Sequence, residues 1–476
     1  MINRKTFLYQ SGAASLSLLT PGFIKAATLP PDYTSKRPPF ADRRFTSTAV
    51  EATIIKMKKV IKDPEVAWLF ENCFPNTLDT TVFFKMIDGR PDTFVITGDI
   101  HAMWLRDSSA QVWPYLPLMN EDKNLQQLIA GVINRQTKCI LIDPYANAFN
   151  DGPTGSEWDK DITTMKPELH ERKWEVDSLC YPIRLAYSYW KRTGDISPFD
   201  ANWKNAMQLV VKAFKQQQRK HDRGPYTFGR TTSWSTDTVP GNGYGNPIKP
   251  VGLIVSIFRP SDDATIFPFL IPSNFFAMVS LRQLAIMSAK ILNDETFAAE
   301  CNALANEVDE ALKKYATAHH LQFGEMYAYE ADGFGNQLFM DDSNVPSLLS
   351  LPYLDAVTTN DDIYQNTRKF ILSSSNPYFF KGKYAEGSGS PHTLEDNIWP
   401  MSIILRAITS TSDSEIKYCL KMLKGTNADT GLMHESFNKD DPEKFTRKWF
   451  AWANTLFGEM VLKVYHERPY ILSKEI

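Results

Sequence analysis

The sequence predicts an all-α fold in which inner and outer layers of helices close into a toroid. Three observations support this prediction: broadly apolar helical segments alternate with amphipathic ones, the inner segments open on similar acidic motifs, and no composition shift divides the chain. A helix that is apolar on most sides is expected to be buried, whereas a helix with one apolar stripe packs from outside. The alternation therefore matches a two-layer arrangement.

Four helix pairs can be read along the chain. The broadly apolar member of each pair covers 107–118, 174–190, 273–292 and 394–408. Apolar residues at steps of three and four follow over 125–133, 199–214, 297–312 and 416–423. Apolar and polar residues alternate around glycine turns over 83–96 and 326–339, which predicts two short β-hairpins. A glycine- and proline-rich loop covers 224–250. We expect the hairpins and the loop on the rim.

The inner segments open on acidic residues and meet a proline four to seven positions later. These openings contain Asp107, Asp177, Asp262 with Asp263, Asp341 with Asp342, and Asp396. Asp, Ser and Asn also cap ordinary helices, so helix-start chemistry is one explanation of the motif. If the inner helices are parallel, their N-terminal ends instead gather carboxylates and hydroxyls at one mouth, where a sugar can bind.

Composition narrows the class of partner. A net charge of -3 provides no field suited to nucleic acid or an anionic membrane. No later apolar run reaches the roughly 18 residues that a membrane-spanning helix needs. The aromatic share of 12% suits stacking against sugar rings, although most aromatic side chains are expected in the core. The five cysteines are widely spaced and indicate buried thiols rather than a disulfide framework or a zinc site.

The N-terminal residues have the pattern of an export signal. Arg4 and Lys5 precede a moderately apolar stretch over 7–23, and Ala26 and Ala27 supply a small-residue end. The basic pair only approximates a twin-arginine motif, which leaves the export route open. We therefore expect a signal peptide and leader over 1–28, one folded domain over 29–476, and a secreted or periplasmic protein.

Motif absences and the acidic residues together point to one chemistry. The sequence contains no HExxH, GxxxxGK[ST] or GxSxG motif and no GxGxxG before a helix. Acidic residues among aromatic ones are the composition that glycosidic bond cleavage by two carboxylates requires. One carboxylic acid must keep its proton for the leaving oxygen, and a second carboxylate must stay ionised to activate water.

Four separated segments resemble the signature segments of glycoside hydrolase family 125. They are DIHAMWLRDSS over 99–109, FRPSDDA over 258–264, GLMHESF over 431–437 and KWFAWAN over 448–454. The resemblance runs from about residue 40 to about residue 470. It implies a single catalytic (α/α)6 barrel and an exo-acting α-1,6-mannosidase that inverts configuration without a metal or another cofactor. The implied substrate is a mannose-containing oligosaccharide, such as a mannan or an N-glycan.

The resemblance also implies the catalytic pair. The acid is an aspartate of the 258–264 segment, here Asp262 or Asp263, and the base is Glu435. If Ser261 or Asp262 caps a short helix, one aspartate is occupied by backbone amides, which favours the ionised form. That condition would favour Asp263 as the acid, and both aspartates stay candidates.

Further motif residues are candidates for binding the terminal sugar. Arg106 and Asp107 can hydrogen-bond to adjacent hydroxyls, although they can also form a structural ion pair at a helix start. His434 can orient the base or the sugar, or it can be an ordinary buried histidine. The tryptophans Trp399 and Trp452 are additional stacking candidates. The complete binding set is Trp104, Arg106, Asp107, Arg259, His434, Trp449 and Asn454.

Two alternative functions come from neighbouring classes. A toroid glycosidase can act on another α-glycoside, such as a glucoside or trehalose, because the fold does not determine the substrate. A sugar-binding protein without turnover would be expected to lack the acid or the base. Candidates for both roles are present in this sequence.

Overall fold

Alternating inner and outer helices build the fold, as the sequence predicts. The computed structural model describes residues 33–476, and Ser35–Ile476 form one compact unit. The predicted signal segment over 1–28 lies outside the described residues. The helices are α1 (Thr48–Val60), α2 (Pro64–Cys73), α3 (Asn76–Thr80), α4 (Leu105–Val112), α5 (Lys123–Ile142), α6 (Val176–Thr193), α7 (Ala201–Gln217), α8 (Ile271–Lys290), α9 (Glu295–Tyr315), α10 (Asp362–Ile371), α11 (Pro400–Ile408), α12 (Asp413–Lys424), α13 (Ala451–Glu467) and α14 (Pro469–Leu472).

The inner layer consists of α4, α6, α8, α11 and α13. Helix α4 packs against α6, α6 packs against α8, and α13 packs against both α11 and α4. The predicted outer partners α5, α7, α9 and α12 follow α4, α6, α8 and α11 in the chain, and α8–α9 and α11–α12 pack directly together. The four predicted helix pairs are therefore confirmed. Separately, no helix of residues 33–476 is long and apolar enough to cross a membrane.

One predicted inner segment is not helical. Residues 341–356, which open on Asp341 and Asp342, form bends and turns instead of a helix. Pro346 and Pro352 lack the backbone N–H that a helix needs. The Asp341 carboxylate also accepts from the backbone N–H of Leu348 at 2.9 Å, which competes with helical bonding. Tyr181 of α6 donates to the Val345 carbonyl at 2.9 Å, so this irregular segment packs against the inner layer.

Helix N-termini distinguish the two layers. The peripheral helices α1, α2, α5, α7, α9, α10 and α12 begin at side chains that cap the backbone, namely Ser47, Asp63, Asp122, Asp200, Asp294, Asp361 and Ser412. The five inner helices begin after Trp104, Glu175, Leu270, Trp399 and Phe450, and within the described chain none of these makes a side-chain cap. Helix capping therefore does not account for the acidic openings.

Short strands decorate the helices. The predicted hairpin over 83–96 is confirmed as β1–β2, and the one over 326–339 contains β9–β10 around Gly333, whose φ is +79°. The loop over 224–250 contains neither helix nor strand. The strands are β1 (Val82–Ile87), β2 (Arg90–Val95), β3 (Met103–Trp104), β4 (Ala148–Phe149), β5 (Leu169–Glu171), β6 (Phe269–Leu270), β7 (Thr317–His320), β8 (Gly324–Tyr327), β9 (Glu330–Ala331), β10 (Gln337–Leu338), β11 (Phe379–Lys381), β12 (Glu386–Ser388), β13 (Asn397–Ile398), β14 (Ser436–Asn438) and β15 (Asp441–Thr446).

Gly131 lets α5 pack directly on β2. A Cβ atom at this position would lie 2.3 Å from the hydroxyl of Thr93, which is held by a hydrogen bond to the Leu128 carbonyl. We expect Gly131→Ala to lower the free energy of unfolding by about 1–3 kcal/mol, because this clash outweighs the better helix propensity of alanine. Urea denaturation measures the change. Gly425→Ala, whose Cβ would lie 3.4 Å from its nearest neighbour, is the control, and equal stability of the two variants would contradict the prediction.

Candidate active site

A narrow inner cavity opens between the N-terminal ends of the inner helices. Residues of α4 and α13, Trp399 directly before α11, and the loops that carry the sequence motifs meet there. Seven of the candidate catalytic and sugar-binding residues line it: Trp104, Arg106, Asp107, Asp262, Trp399, Glu435 and Trp452. The predicted mouth lined with carboxylates is thus present, and it combines acidic and aromatic side chains.

A wider outer cavity of about 510 Å³ continues from the inner one. The two cavities share six lining residues: Ile100, Trp104, Asp262, His392, Glu435 and Arg447. Arg106 and Asp107 line only the inner cavity. The candidate carboxylates Asp262 and Glu435 therefore lie at the junction, with a small compartment on one side and an open one on the other.

The guanidinium of Arg106 is the centre of a buried ionic cluster. Its Nη1 donates to Glu175 Oε2 at 2.6 Å and to Asp177 Oδ2 at 3.0 Å, and its Nη2 lies 3.7 Å from Asp262 Oδ1. Asp107 is also in ionic contact, at 3.7 Å from Nε. Burial raises the pKa of Glu175 well above its usual value, against the opposing charge of Arg106. Arg106 is therefore both a cavity-lining side chain and a structural partner of the acidic openings.

Asp262 and Asp263 have different surroundings. Asp262 adopts a left-handed backbone conformation (φ +68°), its side chain is 31% exposed, and it lines both cavities. Asp263 is 1% exposed, and its Oδ2 accepts from Ser261 Oγ at 3.0 Å and from the His392 N–H at 3.2 Å. No helix begins in this segment, since α8 starts only at Ile271. The helix-cap condition that favoured Asp263 is therefore wrong.

Arg259 supports the aspartate segment from behind. It is 2% exposed, and its Nε donates to Glu330 Oε1 at 2.6 Å. The other Glu330 oxygen accepts from the backbone N–H groups of Ile266 and Phe267, at 3.0 and 2.9 Å. Arg259 lines neither cavity. Its contacts tie the segment that carries the two aspartates to β9.

Arg447 holds the candidate base. Its Nη1 lies 3.3 Å from Glu435 Oε1, its Nη2 donates to the Thr97 carbonyl at 2.9 Å, and the same nitrogen pairs with Asp99. Arg447 was not predicted from the sequence, although it directly precedes the KWFAWAN segment. The guanidinium therefore joins the motif that contains Glu435 to the first motif.

Three other predicted binding residues, His434, Trp449 and Asn454, do not line either cavity. His434 is 1% exposed, stacks on Phe445 with a centroid distance of 3.9 Å, and has Nδ1 2.7 Å from the Lys448 carbonyl. The Asn454 side chain accepts from the Met433 N–H at 2.7 Å. Trp449, like these two, lines neither cavity. His434 and Asn454 instead hold the backbone that precedes Glu435.

Several buried polar atoms of the inner cavity lack a hydrogen-bond partner within residues 33–476. They are Arg106 Nε, Asp262 Oδ1, Asn344 Nδ2, Trp399 Nε1 and Arg447 Nε. Buried polar groups in proteins are nearly always hydrogen-bonded, so these donors and acceptors match a polar guest such as a sugar or water. Asn344 was not predicted from the sequence, because it lies in the irregular segment that was expected to be helical.

A larger cavity between α7 and α9 lacks this combination. It is lined by none of the motif residues, and two of its three lysines are paired, Lys215 with Glu300 at 2.6 Å and Lys220 with Glu307 at 2.5 Å. Within residues 33–476 no group of three or more His, Cys, Asp or Glu side chains is arranged to hold a metal ion. The junction of the inner and outer cavities is therefore the candidate active site.

A helical toroid with two carboxylates at the junction of a small and an open cavity matches the arrangement that glycoside hydrolases use. The sequence model of the metal-independent alpha-mannosidases, GH125, matches residues 63–462. The chain belongs to this family and is an α-mannosidase.

Known proteins support the assignment over most of the chain. The meiotically up-regulated gene 157 protein of Schizosaccharomyces pombe (strain 972 / ATCC 24843) is 42% identical over 458 residues, which cover 92% of this chain and 90% of that protein. A metal-independent α-mannosidase of Streptococcus pneumoniae, solved in a non-productive complex with α-1,6-mannobiose, is 42% identical with a TM-score of 0.85, covering 89% of this chain and all of that one. A bacterial glucoamylase complexed with acarbose is 12% identical (TM-score 0.53, covering 90% of this chain and 58% of that one) and shares the fold alone.

Proposed function

We propose that the protein is an exo-acting α-1,6-mannosidase that inverts configuration, with Asp262 as the general acid and Glu435 as the general base. The observation that carries the proposal is the position of these two carboxylates at the junction of a small inner and an open outer cavity. The relative from Streptococcus pneumoniae, whose structure contains α-1,6-mannobiose, supports the linkage.

The inner cavity is proposed to take the terminal mannose. Arg106, Asp107 and Asn344 supply hydrogen-bonding groups, and the indoles of Trp399 and Trp452 supply apolar surface. Because Arg106 and Asp107 line only the inner cavity, they lie on the side away from the rest of the bound glycan. We assign a single terminal sugar to the inner cavity and the remainder of the glycan to the outer cavity.

The reaction then needs one proton donor and one proton acceptor. Asp262 gives its proton to the glycosidic oxygen as the bond from the mannose C1 breaks, and Glu435 takes a proton from the water that attacks C1 from the opposite face. Arg447 supplies the cation beside Glu435. Asp262 is only one of four carboxylates around the Arg106 guanidinium. The other three are Asp107, Glu175 and Asp177.

Exo action predicts the order of products. On a linear α-1,6-mannan fragment, we expect free mannose as the first and only early product, because the inner cavity is proposed to hold one terminal residue. Chromatography of early time points measures this, with trehalose and α-glucosides as control substrates. The rate should be unchanged after dialysis against EDTA, since two carboxylates need no Lewis acid. Oligosaccharides that appear before mannose, or no cleavage of α-1,6-mannobiose, would contradict the proposal.

Inversion predicts the anomer of the released sugar. An inverting enzyme places its two carboxyl groups about 6.5–9.5 Å apart, with room for water between them. We expect β-mannose as the first product from an α-linked substrate. Proton NMR of the anomeric signals within minutes of mixing measures it, before mutarotation equilibrates the anomers. Initial accumulation of α-mannose would show a retaining mechanism instead.

Export is also proposed, on the basis of the N-terminal sequence. The basic residues Arg4 and Lys5, the apolar stretch over 7–23 and the small residues Ala26 and Ala27 support it. The mature protein, with its catalytic domain over 29–476, then acts in the periplasm or outside the cell. N-terminal sequencing of the protein from fractionated cells tests this, and an uncleaved protein in the cytosol would contradict it.

A further inference from the structure

The outer cavity contains two indoles that the proposed cleavage step does not use. Trp158 and Trp234 line this cavity and do not line the inner one. Trp234 is 41% exposed, which is unusual for a side chain with so much apolar surface. Both residues lie on loops, beyond the carboxylates as seen from the inner cavity.

The loop that carries Trp234 is firmly anchored. Arg230 donates to Asp161 at 2.6 Å, to Glu171 at 2.9 Å and to Asp237 at 3.0 Å. The Ala264 N–H donates to the Thr236 carbonyl at 2.7 Å, which joins this loop to the segment of the proposed acid. An exposed indole on an anchored loop loses little conformational freedom when a ligand stacks on it.

Trp158 is fixed by the same network. The Arg230 guanidinium lies 3.6 Å from the centroid of the Trp158 ring, and its charge is paired with three carboxylates. Lys173 and Arg447, the other lysine and arginine of this wall, are paired as well, Lys173 with Asp237 at 2.8 Å and Arg447 with Asp99 and Glu435. Because all three cations already have carboxylate partners, the outer cavity suits an uncharged ligand. An uncharged ligand that stacks on indoles is the chemistry of a sugar chain.

We propose that Trp234, with Trp158 beside it, binds the mannose residue two positions to the reducing side of the cleaved bond. The terminal mannose occupies the inner cavity, the second lies past Asp262 and Glu435 at the junction, and the third reaches the indoles. The enzyme consequently prefers chains of three or more mannose residues to the disaccharide. This inference rests on the proposed function.

The test compares substrate lengths in four proteins. We measure kcat/KM for α-1,6-mannobiose and α-1,6-mannotriose with the wild type, Trp234→Ala, Trp234→Phe and Tyr418→Ala. Tyr418, on the outer helix α12, is also 41% exposed and lines neither cavity, so it controls for the loss of an exposed ring. The measured quantity is the ratio of the trisaccharide value to the disaccharide value.

We expect the wild type to favour the trisaccharide and Trp234→Ala to lower the ratio about 3- to 10-fold. Trp234→Phe should keep most of the ratio, because it keeps an aromatic face, and Tyr418→Ala should match the wild type. A wild type without length preference, or a Trp234→Ala variant with an unchanged ratio, would overturn the inference. Hydrolysis of neither substrate by the wild type would instead overturn the proposed function.

Discussion

Replacing Asp262 by asparagine should lower kcat/KM on α-1,6-mannobiose by about 10³-fold, while hydrolysis of α-mannosyl fluoride falls far less. The mannoside leaving group needs a proton, whereas fluoride leaves with little protonation. The loss of the acid should therefore slow hydrolysis of the mannobiose much more than hydrolysis of the fluoride. The substitution should leave the backbone unchanged, because asparagine tolerates the positive φ that Asp262 adopts. Initial rates on both substrates measure the effect.

Asp263→Asn is the matched control for this prediction. Asp263 is the adjacent aspartate, but it is buried and engaged with Ser261 and the His392 backbone. Its replacement weakens the support of the segment, so any loss should be of similar size on the mannobiose and on the fluoride. If Asp263→Asn spared the fluoride and Asp262→Asn did not, the assignment of the acid would have to be exchanged.

Glu435→Gln should lose about 10³-fold or more on both substrates. The proposed role of Glu435 is to deprotonate the attacking water, and that step is needed whatever group leaves. Glutamine has nearly the same shape and keeps an oxygen that can face Arg447, so sugar binding should persist. Rates on both substrates, together with the thermal shift produced by mannobiose, separate lost chemistry from lost binding.

Glu443→Gln provides the control for a charge change in the same region. Glu443 lies on β15, is exposed and lines neither cavity. Its replacement should leave both rates within about twofold of the wild type, as is usual for surface substitutions. A Glu435→Gln variant that stayed active on both substrates would remove Glu435 from the role of base, even though the family is established.

Local patterns were sufficient to predict most of the helices. The steps of three and four over 199–214 and 297–312 correspond to α7 and α9, because helical periodicity is a property of neighbouring residues. The glycine turn near Gly89 likewise predicted β1–β2. The same local rules failed at Asp341, where two prolines and a carboxylate bonded to the backbone replace the expected helix.

Sequence patterns also identified the motifs whose side chains meet at the cavity, among them Trp104, Asp262 and Glu435. They also selected Asn454, which is buried and lines neither cavity, and for His434 the structure matches the alternative of an ordinary buried histidine. Both kinds of residue occur in the same short motifs, and a motif does not show which of its side chains point inward. Burial depends on the packing of the whole inner layer.

The sequence by itself determined the helix pairs, the acidic openings and the family, because these reside in local periodicity and in short ordered motifs. Only the tertiary structure decided which aspartate faces the junction and which cation holds Glu435. The Arg447 contact with Asp99 joins residues 348 positions apart, and the Arg106 contact with Glu175 joins residues 69 apart. Such contacts form when the ring of helices closes and brings distant loops to one mouth, so no local pattern specifies them.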